Sequence, residues 1–171
     1  MDKISTKRLL LRKVSLKDLT DIFEYASNQR VAQAGGFLCC QTKQAVLKFI
    51  RQLATSQSWV LEERKKAKVI GNLCLYETVN SQAAPNREKR LLGYALNPSF
   101  QNQGYMTEAV AGIVDWAANQ GIKRVDAIVS WNNLASQRVL EKNGFEIQGI
   151  FKAPWGSNLV IQKFIAFYKA I

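Results

Sequence analysis

Two stretches with helical periodicity, each stopped by a glycine and each followed by an extended apolar run, constrain this chain more than any other feature. Met106, Ala109, Val110, Ile113, Val114 and Ala117 recur at the spacing of one helical face, and Gly121 stands where a left-handed cap ends a helix. "IKRVDAIVS" then reads as a strand. A second helix runs from Asn133 to about Asn143 and stops at Gly144, before "FEIQGIFKA" and "NLVIQKFIAFY" as two further strands. Helices that alternate with strands in this way must pack on the faces of a sheet.

The first half is less regular. Ile4 to Val14 reads as one strand, and Ser15 opens an amphipathic helix through about Asn28, with Leu19, Ile22, Phe23 and Ala26 on one face. The glycine-bearing loop "QAGGFLCCQ" precedes a helix from about Thr42 to Ser56. "SWVLEER" and "KVIGNLCLYETV" look like an antiparallel pair, with Arg64 to Lys68 as a charged hairpin loop. "NSQAAPNREK" is turn-rich and polar, which predicts an exposed loop, and "RLLGYALN" reads as a buried strand closed by Pro98. The order β-α-α-β-β-β-α-β-α-β-β implies an α/β chain with one mixed sheet covered by helices.

At 171 residues the chain has the size of a single domain, spanning 1–171. No run approaches the roughly 18 apolar residues of a membrane span, and the start lacks an apolar core of signal-peptide length. Three cysteines fit neither a disulfide framework nor a paired-thiolate zinc pattern. The expectation is a reduced, cytoplasmic protein with no metal and with neither a membrane nor a specific DNA sequence as partner, as a monomer or homodimer. The net charge of +11 is concentrated in residues 1–90, with 17 Lys/Arg against 8 Asp/Glu, which suits either a polyanionic neighbourhood such as RNA or a solvated surface.

"QNQGYMTEAV", residues 101–110, enters the first of the regular helices with a glycine between amide side chains and no lysine. The Gly-Lys-Ser/Thr ending of a P-loop is absent, as is Gly-x-Gly-x-x-Gly. Gly104 either eases a strand-to-helix turn or opens a helix N-terminus to an anion.

The later motifs bear on that choice. Gln101-x-x-Gly104-x-Met106, Asn133-x-x-Ser136 and Lys142-x-Gly144-Phe145 follow one another in the order and spacing of the GCN5-related N-acetyltransferases (GNATs), which the chain resembles over nearly its whole length. Met106 departs from the glycine or alanine of that pattern. Thr6 to Arg12, Leu92-Gly93-Tyr94 and "GYMTEA" resemble the RimJ/RimL branch, which includes ribosomal-protein N-terminal acetyltransferases. The resemblance implies the GNAT fold, a single mixed, mostly antiparallel sheet of about seven strands with helices on both faces.

It also implies acetyl-CoA as cofactor, with its pyrophosphate against the backbone from Gln101 through Asn102, Gln103, Gly104, Tyr105 and Met106 to Thr107. The strand Ala95-Leu96-Asn97 would pair with the pantetheine arm, and Asn133 would bind that arm or cap its helix. Ser136 is the candidate donor of a proton to the leaving thiolate, since Leu140 stands where many relatives carry a tyrosine. Leu91 stands where many carry a glutamate base, and the chain has no histidine. Glu77 and Asp126 are candidate carboxylates acting through water. Phe37 and Trp155 are candidates for the acceptor side, and Trp131 either covers the CoA arm or packs in the core.

The activity implied is acetyl transfer to a primary amine by direct attack in a ternary complex. The expected acceptor is a protein or peptide N-terminal α-amine, with possible ribosome association. The alternatives are a small-molecule amine (amino acid, antibiotic or polyamine) and a non-catalytic CoA-binding or RNA-associated module.

Overall fold

The computed structural model describes residues 3–55, 57–80, 82–155 and 159–171. Eight strands form one sheet in the order β1-β2-β3-β4-β5-β6-β8-β7: Ile4–Ser5, Leu9–Arg12, Ser58–Glu63, Lys68–Val79, Pro85–Leu96, Arg124–Ser130, Glu146–Trp155 (β7) and Val160–Ala170 (β8). Among the described residues, five α-helices accompany them: α1 Leu19–Ala26, α2 Gln29–Gly35, α3 Lys43–Thr55, α4 Tyr105–Asn119 and α5 Leu134–Lys142. All neighbouring strands are antiparallel except β5 and β6. The expected mixed sheet with helices on both faces is therefore present, with eight strands against about seven.

The additional strand comes from the run Ile4–Val14. It folds back on itself because the Thr6 amide donates to the Leu9 carbonyl and the Thr6 hydroxyl accepts from the Leu9 amide, which makes a tight turn between β1 and β2. The helix expected from Ser15 to Asn28 also divides. A 3₁₀ turn at Leu16–Asp18 leads into α1, and the Asn28 side chain accepts hydrogen bonds from the amides of Arg30 and Val31, capping a separate helix α2 before the glycine loop. Asn favours a cap over a helix interior because its short side chain competes for backbone donors.

The polar stretch expected as a loop is mostly strand. The Asn80 side chain accepts from the Gln82 and Ala84 amides, closing a turn that lets β5 begin at Pro85. Arg90 is buried beside it, with its guanidinium bonded to the carbonyls of Asn86, Arg87 and Lys89 where the β4–β5 register shifts. Ser56, Ser81 and Asn158, which belong to the expected α3, loop and final strand, lie outside the described residues.

One core lies between the sheet and the pair α4/α5, built on Leu61, Leu73, Leu92, Val110, Ile113 and Leu140. The other lies beneath α1 and α3, built on Ile22, Tyr25, Val46, Ile50 and Val60. Alternation along β3 sends Trp59 and Leu61 to the first and Val60 to the second, as a strand buried on both faces requires. Gly121 and Gly144 carry the expected left-handed backbone after α4 and α5.

Asp18 anchors the entry to α1. It accepts two hydrogen bonds from Arg12 and one from the Ser15 amide, while Arg12 also bonds Glu62. Burial pushes the Asp18 carboxyl up, but the Arg12 hydrogen bond and the Ser15 bonds outweigh it and hold it below its ordinary value. A carboxyl held lower in the folded chain contributes stability above its unfolded value of about 3.9, and loses it as pH falls through the folded value. Asp18→Asn is expected to destabilise by about 3 kcal/mol at pH 7, because Arg12 keeps only Glu62 as a carboxylate partner. Urea unfolding measured from pH 7 to pH 2 should show the two proteins converging below about pH 4; parallel curves would dismiss this linkage.

Candidate active site

The one parallel pair in the sheet comes apart. β5 and β6 pair from Lys89↔Arg124 to Leu92↔Ala127, and there the ladder ends, although β5 runs on to Leu96 and β6 to Ser130. β6 stays with β8 through Ser130↔Phe164, so the opening lies between β5 and β6. The Asn97 amide donates to the Ile70 carbonyl of β4. Backbone groups alternate in direction along a strand, so the groups of Ala95 and Asn97 are turned toward β4 while those of Tyr94 and Leu96 face the opening.

Two adjoining cavities occupy this split, with Arg30, Tyr94, Asn133 and Ser136 on the boundary they share. The smaller, about 640 Å³, is lined by Ala95, Leu96, Gln101, Asn102, Gly104, Tyr105, Met106 and Thr107 from the β5–α4 side, and by Arg138 and Lys142 from α5. The larger, about 1050 Å³, is lined by Tyr76, Leu91 and Gly93 on one side, by Trp131, Lys163 and Phe164 on another, and by Trp155. A β-carbon at Gly36 would sit 3.4 Å from the Trp155 ring, so Trp155 reaches across to the end of α2 and bounds this cavity.

The α4 entrance has the features of an anion cradle. Gly104 holds φ +77°, no side chain caps the helix, and the first intrahelical bond is Glu108 N–H to the Gly104 carbonyl. The amides of Tyr105, Met106 and Thr107 therefore lack helical acceptors, and the helix dipole adds its positive end. The loop is held from behind: Arg8 donates to the Gln103 carbonyl, pairs with Glu108 at 2.6 Å and lies over the Tyr105 ring. Met106 departs from the motif without obstructing it, because its side chain is buried in the α4 core while its amide remains at the helix end.

Ser136 and Tyr94 meet across the split, with 2.6 Å between their hydroxyl oxygens. Asn133 caps α5 by accepting the Ser136 amide, which fixes this turn. Burial pushes the Tyr94 phenol up to about 12 against the opposing hydrogen bond from Ser136. Sequence reasoning reaches Tyr94 only as part of the Leu92-Gly93-Tyr94 motif and gives it no role, because an alternating strand pattern does not say that the sheet splits here.

Several residues expected at the site sit elsewhere, each for a reason visible in its contacts. Phe37 stacks on Phe49 at 4.7 Å in the second core. Asn97 is buried, capping the following turn through the Ser99 amide and donating to Glu24. Gln103, expected there through its backbone, is not among the residues lining either cavity, and its side chain donates to the Ser99 carbonyl. Glu77, on β4, stands in register with Arg90 of β5, away from both cavities. Asp126 is held by Lys89 and Arg124 at 2.6 Å each. Trp131 lines the larger cavity and is exposed rather than core, with Lys163 Nζ 3.5 Å above its ring. Among the described residues, no aspartate or glutamate lines either cavity, and no helix is long and apolar enough to cross a membrane.

The sequence model of the acetyltransferase (GNAT) domain matches residues 8–146. The chain belongs to the GNAT acetyltransferase family. It is an N-acetyltransferase, and acetyl-CoA is the acyl donor of this GNAT domain. Among its relatives, the uncharacterized N-acetyltransferase YoaA of Bacillus subtilis is 26% identical over 157 residues, covering 87% of this chain and 85% of YoaA. A GNAT-family acetyltransferase from Bacillus anthracis superposes with a TM-score of 0.87 at 21% identity, over 99% of this chain and 98% of that one. The ribosomal-protein-S5-alanine acetyltransferase of Vibrio fischeri superposes with a TM-score of 0.80 at 20% identity, over 99% and 97%. The GNAT cofactor fits the smaller cavity on three observations: the uncapped α4 entrance, the open β5 edge, and the α5 cations Arg138 and Lys142.

Proposed function

We propose that this GNAT enzyme acetylates the N-terminal α-amine of a protein or peptide. The observation that carries the reading is the absence of any carboxylate from the lining of both cavities, among the described residues, in a chain without histidine. A site with no evident base suits an amine that is already partly neutral. An α-amine, with pKa about 7.7–8.0, is neutral in roughly one molecule in ten at pH 7, whereas a lysine amine is neutral in about one in a few thousand. The fold neighbour from Vibrio fischeri is named for an alanine of ribosomal protein S5, which supports the same class of acceptor; association with the ribosome would follow from such a substrate.

Acetyl-CoA supplies an acetyl group activated as a thioester. The amides at the start of α4, with Gly104 clearing their approach, hold an anionic diphosphate, and Arg138 and Lys142 of α5 add charge around it. The outward backbone of Tyr94 and Leu96 offers an edge to pair with an extended arm, although the Leu96 carbonyl already accepts from Gln101 Nε2. Ser136 Oγ holds the proton needed by a departing thiolate. Tyr94 stays protonated, and where its single hydrogen goes to Ser136 Oγ rather than to the Ser136 carbonyl, the serine's own hydrogen is free to point into the cavity.

Thiol release from acetyl-CoA tests the reading directly. Peptides with free N-termini are expected to support turnover, and the same peptides with blocked N-termini but an internal lysine to give less than about a tenth of it. Turnover confined to aminoglycosides or polyamines would replace this reading with the small-molecule one, and acetyl-CoA binding without any turnover would favour the non-catalytic one.

A further inference from the structure

The larger cavity carries an unbalanced charge. Its only ionised lining side chains are Arg30, from α2, and Lys163, from β8, and among the described residues neither has an ion-pair partner. Lys163 is instead seated on the exposed ring of Trp131, an arrangement that orients the ammonium without neutralising it. The carboxylate of Asp126, on the paired part of β6, is held by Lys89 and Arg124 and lines neither cavity.

Such a cavity acts on an incoming amine in two ways. Two cations disfavour an ammonium between them, lowering its pKa, and so favour the neutral amine without a base. The same field repels a carrier that is itself cationic and attracts one that bears an anion close to its amine.

We infer that Arg30 and Lys163 make this an acceptor site for anionic amines, so that the preferred N-terminus is followed immediately by aspartate or glutamate. The inference rests on the peptide reading above, but its charge preference can be tested apart from it. Exposed pairs give only a few-fold each, so two of them set the expected preference at about tenfold.

The experiment measures kcat/KM for peptides beginning Ala-Asp-Glu and Ala-Lys-Lys, with free glutamate and spermidine as small-molecule arms. About a tenfold preference for the acidic peptide is expected. Lys163→Gln should reduce it about threefold through KM, with the KM for acetyl-CoA unchanged, since Lys163 does not line the smaller cavity. Lys163→Arg should restore it, and Lys43→Gln, on exposed α3 surface, should leave it alone, separating a local effect from the overall net charge. Equal or reversed preference between the peptides would overturn the inference, as would an equal effect of Lys43→Gln. Glutamate turned over in place of both peptides would keep the charge preference while removing the peptide reading; spermidine alone would remove both.

Discussion

Ser136→Ala is expected to lower kcat by about 100-fold or more while changing the affinity for acetyl-CoA less than about threefold. A positioned proton donor contributes on the order of 10²–10⁴ to such a transfer, and the substitution removes the hydroxyl while leaving the cap intact, because Asn133 bonds the Ser136 amide rather than its side chain. Tyr94→Phe separates the donor from its orientation. Phenylalanine keeps the ring and loses the 2.6 Å contact, so kcat should fall about tenfold with the KM for acetyl-CoA unchanged. Pre-steady-state turnover and isothermal calorimetry together check both variants. A large loss of cofactor affinity in Ser136→Ala would make Ser136 a binding residue, and a fully active Tyr94→Phe would remove Tyr94 from the reaction.

Gly104→Val should act on the cofactor rather than on the chemistry. Gly104 holds φ +77°, a conformation costing an ordinary residue about 1–2 kcal/mol and a β-branched one more. Its β-carbon would also stand 3.4 Å from the Arg8 guanidinium that braces the loop. Relieving this strain would turn the α4 amides away from the diphosphate, each such charge-assisted bond being worth about 1.5–3 kcal/mol. A loss of about 3 kcal/mol is near 100-fold in Kd. Calorimetric titration with CoA measures it, and the melting temperature, expected to fall by only a few degrees, shows that the chain still folds. Unchanged CoA affinity would mean that the α4 entrance does not hold the diphosphate.

The regular elements are legible in the sequence because their signals are local. The α4 stripe from Met106 to Ala117 and the glycines that stop α4 and α5 need only neighbouring residues to be read, and they lie where expected. Expectation and structure part where a long-range contact or a side-chain bond overrides local pattern. Thr6 turns one expected strand into two, Asn28 splits a helix, and pairing with β4 draws a polar stretch into β5. Phe37 and Glu77 are of the right residue type for an acceptor site, but which way a side chain faces depends on a partner surface. Stacking on Phe49 and pairing of β4 with β5 at Arg90 place them away from the cavities.

By itself, then, the sequence determined the kinds and order of the main elements, the glycine at the α4 entrance and the lack of histidine, because propensity, periodicity and residue identity are properties of neighbours along the chain. Only the tertiary structure decided that β5 parts from β6 after Leu92, that Tyr94 meets Ser136 there, and that no carboxylate among the described residues lines the space between. Those are facts about residues far apart in the chain, brought together by strand pairing and by helices packed on the two faces of the sheet, and no local pattern encodes them.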